Sequence, residues 1–304
     1  MALRSEAWIE ALDARFQRIK AEEYDQPKDL VERLYEMPAP SRQPTERFGA
    51  SGAYGVIPRF TGTLAYSDIY PSYNALITPL VFASGLQIER ELLDDDQHNV
   101  IEGKPRSISR SLATLRKKHA LRPLNNAFSV DTYFYTNSEN VALASNSHTT
   151  RASGVSTSTG FDNLITSAFS AVALEAARIQ FKGLRDDRAE LIDLDPSLIV
   201  YPTNLYGRVH EVIKSDKRPG ELETANVHSG AYELLEHSML TSSVNWYLVD
   251  PSLMKSDGLI WIDRDKGELD FVEDFETFLG KWRIRARWGN GHRNWRFIIG
   301  AQVA

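Results

Sequence analysis

Leu191-Ile192-Asp193-Leu194-Asp195-Pro196-Ser197-Leu198-Ile199-Val200-Tyr201-Pro202 is the stretch on which the reading of the chain turns. Four apolar residues, Leu198 to Tyr201, stand between two prolines, and that length with those boundaries predicts a buried strand. Upstream, Ile165, Phe169, Val172, Ala176 and Ile179 recur at helical spacing. They predict an amphipathic helix opening near Phe161, capped by Asp162, with that stripe as its core face. A polar turn, Lys182 to Arg188, separates helix from strand, and a second helix is expected over about Leu205 to Lys214. Helix, strand, helix predicts an α+β fold, and it speaks of a core rather than of chemistry.

The 304 residues suffice for one large domain or two ordinary ones. Hydrophobic residues make up 42% and charged residues 25%, as in a soluble globular protein. The absence of cysteine excludes disulfides, thiolate metal sites and a cysteine nucleophile. A formal net charge of -6 argues against a generally basic nucleic-acid binder. No apolar run approaches the roughly 18 residues of a membrane span, and the first residues lack the apolar core of a signal peptide. The chain is therefore expected to act in a cytoplasm or to be released from one.

Before the central unit, residues 5 to 22 read as an amphipathic helix with the stripe Trp8, Leu12, Phe16 and Ile19, and Pro27 to Glu36 as a second, short one. Pro38, Pro40 and Pro44 then impose an extended arm. This limb carries apolar faces that need the rest of the chain or a neighbouring subunit. Residues 49 to 83 are punctuated by glycine and carry Tyr54, Phe60, Tyr66, Tyr70, Tyr73 and Phe82. They are either a plain β-hairpin or a projecting β-loop whose aromatics meet other chains, since exposed aromatic strands tend to pair. Residues 84 to 97 read as a short helix ending in Asp94-Asp95-Asp96, a solvated acidic end without the spacing of a calcium loop. Residues 105 to 122 form a clearer helix, with Ile108, Leu112, Leu115 and His119 on one face and Arg106, Arg110, Arg116, Lys117, Lys118 and Arg122 as a positive outer side.

Short strands are expected at Val130 to Tyr135 and Val141 to Ala144, followed by an exposed Ser/Thr-rich loop from Ser145 to Gly160. Beyond the central unit, Tyr232 to Leu235 reads as helix or strand and Val244 to Val249 as a strand. Leu259 to Ile262 and Leu269 to Val272 flank a turn over Asp263 to Glu268 and predict one hairpin. Trp282 to Trp288 and Trp295 to Gly300 predict another, its first strand strictly alternating.

Chemistry is hard to place on this chain. The seven histidines are scattered, with no pair at the spacing of a zinc site, and no nucleophile elbow, P-loop or dinucleotide fingerprint occurs. Ser147-His148 is the one pair that could serve a hydrolase. The arginines among Trp282, Trp288 and Trp295 could stack on single-stranded nucleic acid, but on an alternating strand they read better as one polar face. No catalytic residue, cofactor or metal ligand is expected. A chain without a catalytic constellation, with arms and loops seeking partners, reads as an assembly protein.

Several segments in fixed order carry a resemblance: Glu139-Asn140-Val141-Ala142-Leu143-Ala144-Ser145-Asn146-Ser147-His148, the helix Val172 to Arg178, Pro196 to Pro202, Asn226, Asn245-Trp246-Tyr247-Leu248, Trp282-Arg283-Ile284-Arg285 and Asn294-Trp295-Arg296. Together they resemble the tailed-bacteriophage major capsid protein of the Hong Kong 97-type fold, within it the Mu-like major head subunit group. The resemblance covers nearly everything beyond about residue 50. It implies an N-arm over residues 1–48, an extended β-loop over 49–83, a peripheral domain over 84–200 with its long spine helix at about 105–122, an axial domain over 201–278, and C-terminal strands over 279–304 that return to the peripheral domain.

The implied function is a structural head protein that self-assembles into hexamers and pentamers, forming an icosahedral shell around double-stranded DNA in the virion, assembled in the bacterial cytoplasm. An encapsulin-type nanocompartment is the alternative. Expected partners are further copies of the chain, a portal protein, and separate scaffolding and cement proteins. Expected inter-subunit contacts are Trp8, Phe16, Tyr54, Arg59, Phe60, Tyr66, Tyr70 and Tyr73. Arg106, Arg110, Lys117 and Lys118 are expected to face DNA. Some relatives weld subunits through a loop lysine. Residues 49–83 contain none, which predicts a shell without that crosslink.

Overall fold

A computed structural model describes residues 14, 16–22, 30–49, 52–54, 57, 59–64, 66, 69–89, 100–217, 225–274, 276 and 279–303. In chain order the elements are α1 (residues 16–22), α2 (Leu30–Leu34), β1 (Glu46–Phe48), β2 (Ala75–Ile77), β3 (Leu80–Glu89), α3 (Val100–Ala120), α4 (Arg122–Asn125), β4 (Tyr135–Asn137), β5 (Leu164–Ile165), α5 (Ala171–Lys182), β6 (Leu198–Tyr201), α6 (Tyr206–Lys214), β7 (Glu233–Glu236), β8 (Trp246–Val249), α7 (Pro251–Leu253), β9 (Leu259–Asp274), β10 (Leu279–His292) and β11 (Ile298–Ala301).

The proline-bounded run behaves as its composition dictates. All four residues of β6 are buried, because the strand lies inside the five-stranded sheet β5-β11-β8-β6-β7 with neighbours on both edges. It pairs parallel to β7 and antiparallel to β8. A strand covered on both faces reads as a continuous apolar run rather than an alternating one, and β8 and β11 show the same pattern. Asn163 ties the sheet to its surroundings. Its buried Nδ2 donates to the carbonyls of Leu143 (2.8 Å) and Ile298 (3.1 Å), and its Oδ1 accepts from Ser145 N (2.8 Å).

The second large unit is a three-stranded ribbon, β3-β10-β9, in which β9 and β10 form a long hairpin and β3 pairs antiparallel along the other edge of β10. The alternation read in β10 is real. Trp282, Ile284, Ala286 and Trp288 point inward, while Arg283 and Arg285 face outward to Asp270 (2.9 Å) and Asp265 (3.1 Å). The inner face is covered partly by α1, whose buried Phe16 meets Trp282 at a centroid distance of 4.9 Å.

Helix α3 crosses the root of this ribbon. There Arg116 makes a two-pronged bond to Asp263 (2.7 and 2.6 Å), with Trp261 Nε1 donating to the same carboxylate at 2.8 Å. The guanidinium also lies over the rings of Trp261 and Trp288. Trp288 Nε1 donates to His119 Nδ1 (3.0 Å), Asn290 Nδ2 to the carbonyl of His119 (2.6 Å), and Tyr35 Oη to the carbonyl of Ala120 (2.6 Å). Every polar group of this buried cluster that takes part therefore has a partner, as buried polar groups require.

Several sequence expectations are corrected. Helix α5 opens at Ala171, not near Phe161. Its cap is Ser170, whose hydroxyl accepts from Ala173 N (3.1 Å), so Asp162 is not the cap. Its core face is Ala173, Leu174, Ala177 and Phe181, while the expected face of Val172, Ala176 and Ile179 is exposed. The helix is apolar on two sides, and the side bearing the larger Leu174 and Phe181 is the one buried. Residues 84–89 belong to β3 rather than to a helix, and Asp94 to Asp96 lie outside the described residues. Helix α3 begins earlier than expected, and Arg116 is a buried residue rather than part of the outer side. Of the expected strands 130–135 and 141–144, only β4 forms, starting at Tyr135.

Asp263 to Glu268 do not turn: they lie within the single strand β9, whose partner is β10, with β-bulge irregularities between Arg285 and Trp288. Nor do Trp282 to Gly300 form a hairpin, because β10 and β11 belong to different sheets. Each of these strands was expected to end where acidic or glycine residues cluster, yet pairing on a neighbour carried it through.

Candidate assembly surfaces

Among the described residues of the loop over 52–74, no strand forms before Ala75. Its root is fixed. Gly52 N donates to the Tyr70 carbonyl (2.8 Å), and Arg188 Nε donates to the Ala53 carbonyl (3.0 Å) with its guanidinium over the Tyr70 ring. A side chain at Gly52 would meet the Tyr70 carbonyl at 2.9 Å, so the close crossing needs glycine. Tyr73, half-buried, bonds to Thr149 Oγ1 (2.7 Å). Beyond this root the loop exposes Ile57, Phe60, Leu64 and Tyr66, the last at 91%. Tyr54 and Arg59 are exposed as well. So many large apolar side chains exposed in one loop, among the described residues, make it the strongest candidate for an interaction surface.

The expected contact residues therefore separate. Tyr54, Arg59, Phe60 and Tyr66 share the exposed loop, while Tyr70 and Tyr73 stand at its root, engaged by Arg188 and Thr149. Phe16 is fully buried against Trp282 of its own ribbon and offers no surface to a neighbour. Trp8 lies outside the described residues.

On α3, Arg106, Arg110 and Lys118 line one shallow depression with Thr114, as positions four apart on a helix must. Arg110 and Lys118 are exposed and Arg106 is half-buried. Lys117 is exposed but turned away from that depression, as its one-residue offset on the helix requires.

Ser147 and His148 do not form a catalytic pair. The Ser147 hydroxyl donates to Asn146 Oδ1 (3.2 Å). The His148 ring is buried, stacked on Trp295 at 4.0 Å, and its Nδ1 faces the Glu139 carboxylate at 3.2 Å. Glu139 also accepts from Thr149 N (2.8 Å). The histidine thus fastens the Ser/Thr-rich loop to the core, which is why that loop is not wholly exposed. A cavity lined by Asp131, Tyr135, Asn140 and His292 holds about 30 Å³, room for one water molecule rather than a substrate. Burial lowers the His292 ring to about 3, with His148 adding to the effect and Asp131 opposing it. Burial and then Arg122 lower His119 to about 4. Both rings are structural, and among the described residues no group of acidic residues and histidines could hold a metal ion.

A family model described as phage capsid protein matches residues 73–300. The chain belongs to the phage capsid protein family. No match is found among curated protein sequences. Among solved structures, the mature capsid of bacteriophage PhiM1 is similar over 92% of this chain and 88% of its own, at 10% identity and a TM-score of 0.60. The capsid of Ralstonia phage GP4 is similar over 91% of each chain, at 9% identity and a TM-score of 0.59. A virus-like particle from Pyrococcus furiosus is similar over 95% of this chain and 98% of its own, at 8% identity and a TM-score of 0.54. The fold is thus the Hong Kong 97-type capsid fold, and the protein is a structural capsid shell protein, not an enzyme. The hydrolase reading of Ser147 and His148 is overturned by this membership as well as by their geometry. Sequence reasoning missed the Arg116–Asp263 pair, since neither residue stands in a motif and the two are 147 positions apart.

Proposed function

We propose that this capsid protein assembles as hexamers and pentamers into an icosahedral shell around double-stranded DNA. The observation that carries this reading is the loop of residues 52–74, which exposes Ile57, Phe60, Leu64 and Tyr66 and is rooted firmly enough to present them. Such a loop is a liability on a monomer and an asset in a lattice where a neighbouring copy covers it. In this reading residues 1–48 act as the N-arm, 49–83 as the extended loop over the neighbour, 84–200 as the peripheral domain with α3 as its spine, 201–278 as the axial domain, and 279–304 as the returning strands. Tyr54, Arg59, Phe60 and Tyr66 make the contacts between copies.

The stripe Arg106, Arg110 and Lys118 faces the packaged DNA. Three basic side chains lining one depression are the residue type that meets a phosphate backbone. A portal protein, and separate scaffolding and cement proteins, complete the particle in the host cytoplasm. An encapsulin-type compartment is the second reading, favoured by the likeness to the virus-like particle from Pyrococcus furiosus. Electron microscopy of the purified chain, with size-exclusion chromatography and an assay of nuclease-protected DNA, tests both. Closed shells or rings of five and six subunits are expected. A monomer at every concentration, even when co-expressed with the neighbouring phage proteins, would sink the shell reading, and shells formed in the phage host without DNA would favour the compartment.

A further inference from the structure

We infer that Tyr73 and Arg188 are positioning residues for shell assembly: with Trp295 and Arg296 behind them they form one clamp that aims the loop of residues 52–74. The inference rests on the shell reading above and goes beyond it by naming what sets the loop's direction. The two ends of the loop are gripped by different segments. Gly52 and Ala53, the outgoing end, lie against the turn closed by the Arg185–Leu191 bridge. There Arg188 Nε donates to the Ala53 carbonyl, and a side chain at Gly52 would also meet Asp187 Oδ2 at 3.2 Å. The returning end is held at Tyr70 by the Arg188 guanidinium over its ring, and at Tyr73 by Thr149 Oγ1, with the Arg151 guanidinium 5.9 Å over the Tyr73 ring. The Gly52–Tyr70 backbone bond alone would close the loop. The further anchors fix its angle.

The two grips are tied to each other and to one dipeptide. Thr150 Oγ1 donates to the Asp187 carbonyl at 2.9 Å, which joins the segment carrying Thr149 to the turn carrying Arg188. Behind the first grip the Trp295 ring carries His148, whose partner Glu139 accepts from Thr149 N. Behind the second, Arg296 Nε donates to the Arg185 carbonyl (2.6 Å) and Nη2 to Asp187 Oδ1 (2.9 Å). The Arg296 guanidinium also lies 4.7 Å over the Trp295 ring. Trp295 and Arg296 are 5% and 7% exposed, so the base on which both grips stand belongs to the packed interior, which deforms little.

The turn itself is strained in a way that suits this task. Ala189 has a φ of 63°, a left-handed conformation that alanine rarely adopts. It is held there by Arg185 Nη1, which donates to the Ala189 carbonyl (2.6 Å), and by Asp186 Oδ1, which accepts from Arg188 N (2.8 Å) and Glu190 N (2.9 Å). Such a conformation persists where the surroundings over-determine it, and here it sets the backbone from which Arg188 reaches Ala53 and Tyr70. A loop free to swing loses that freedom each time it meets a partner, whereas a loop already aimed loses little. A shell repeats the contact in every subunit, so the advantage of a fixed aim recurs at each one.

The absence of cysteine allows a direct test on the whole chain. Nitroxide labels at Thr63→Cys in the loop and Ala176→Cys on α5, both exposed positions, report the loop-to-body distance distribution in dispersed subunits by double electron–electron resonance. One narrow distribution is expected with the unmodified root. Tyr73→Phe combined with Arg188→Met should widen it about twofold, and the same pair of changes without labels should slow assembly about tenfold. Both residues lie outside the buried core, so the dispersed double variant should melt as the unmodified protein does. Arg296→Gln, which alters bonds to the turn rather than to the loop, should widen the same distribution; if it fails to fold, the double variant decides alone. Equal widths, or a distribution already broad with the unmodified root, would overturn the inference and leave the shell reading intact. A widened loop in a double variant that assembles at the unmodified rate would overturn it too. If no chain forms particles while the widths differ as expected, the shell reading falls and takes the assembly role with it, and the clamp stands on the widths.

Discussion

Replacing Asp263 with alanine removes the carboxylate that neutralises Arg116 at the root of the ribbon. The side chains of Arg116 and Asp263 are 9% and 4% exposed, so little water can take the carboxylate's place. Removing one partner of a buried pair costs about 3–5 kcal/mol, because the other charge stays in a poorly solvating site. The Trp261 indole also loses its acceptor, which adds about 1 kcal/mol or more. Against this, the guanidinium keeps the faces of Trp261 and Trp288, at 4.9 and 5.7 Å, and such contacts hold back about 1–2 kcal/mol. The net expectation is a loss of about 3–4 kcal/mol for Asp263→Ala, with a smaller loss for Asp263→Asn, whose one amide oxygen can still accept from Arg116 Nη1 and the Trp261 indole although the bond to Arg116 Nη2 is lost.

The double variant Arg116→Met with Asp263→Leu removes both charges and should recover most of the loss. Urea unfolding of the dispersed subunit, followed by tryptophan fluorescence, reads this well because Trp261 and Trp288 are packed against the pair. A loss under about 1 kcal/mol for Asp263→Ala, or a double variant as unstable as the two single changes summed, would refute the account of the pair as a buried, mutually dependent unit.

The lowered His119 and His292 rings predict acid lability. Below the ordinary value of 6.5 the unfolded chain binds protons that the folded chain refuses, so stability is full above about 6.5 and declines as pH falls towards 4 and then 3; unfolding midpoints that stay flat from pH 7 to 4.5 would contradict this. Asn163→Ala should cost about 2–4 kcal/mol, since it leaves the Ser145 N–H and the Leu143 and Ile298 carbonyls without their partner inside the core; a thermal melt within a degree or two of the unmodified protein would count against that role. With no lysine in residues 49–83, particles boiled in SDS should run as a single band near 34.3 kDa, and a ladder of multimers would show a covalent link after all.

The central unit was legible because its signals were local. Two prolines bound the β6 run, and helical spacing continued unbroken through α6. The alternation in β10 was legible for the same reason. What misled was the belief that polar clusters end strands. Asp263 to Glu268 look like a turn, but Asp263 is drawn into the core by Arg116, and the strand continues to Asp274 along β10. Helix α5 showed the limit of periodicity: two apolar stripes fit the same spacing, and only the packing against the sheet tells which is inward. Residues 49–83 were read as β-structure in either of two forms, yet among the described residues of 52–74 no strand forms before Ala75, since aromatic residues carry strand propensity that only a paired edge realises. Phe16 was assigned to a neighbour when the chain's own ribbon offered Trp282.

The place of β11 has a consequence for synthesis. This strand, four residues from Ile298 to Ala301, follows every other strand described and sits inside the five-stranded sheet between β5 and β8, its register set by Gly300 opposite both Leu164 and Tyr247. During translation, therefore, the sheet has a missing plank until Ala301 has been read and has cleared the ribosome, because β5, β6, β7 and β8 all precede β11 in the chain. Until then the nascent chain cannot present a finished sheet, and its closure is delayed by topology alone. Chains stopped before Ile298 should remain sensitive to protease across β5 and β8.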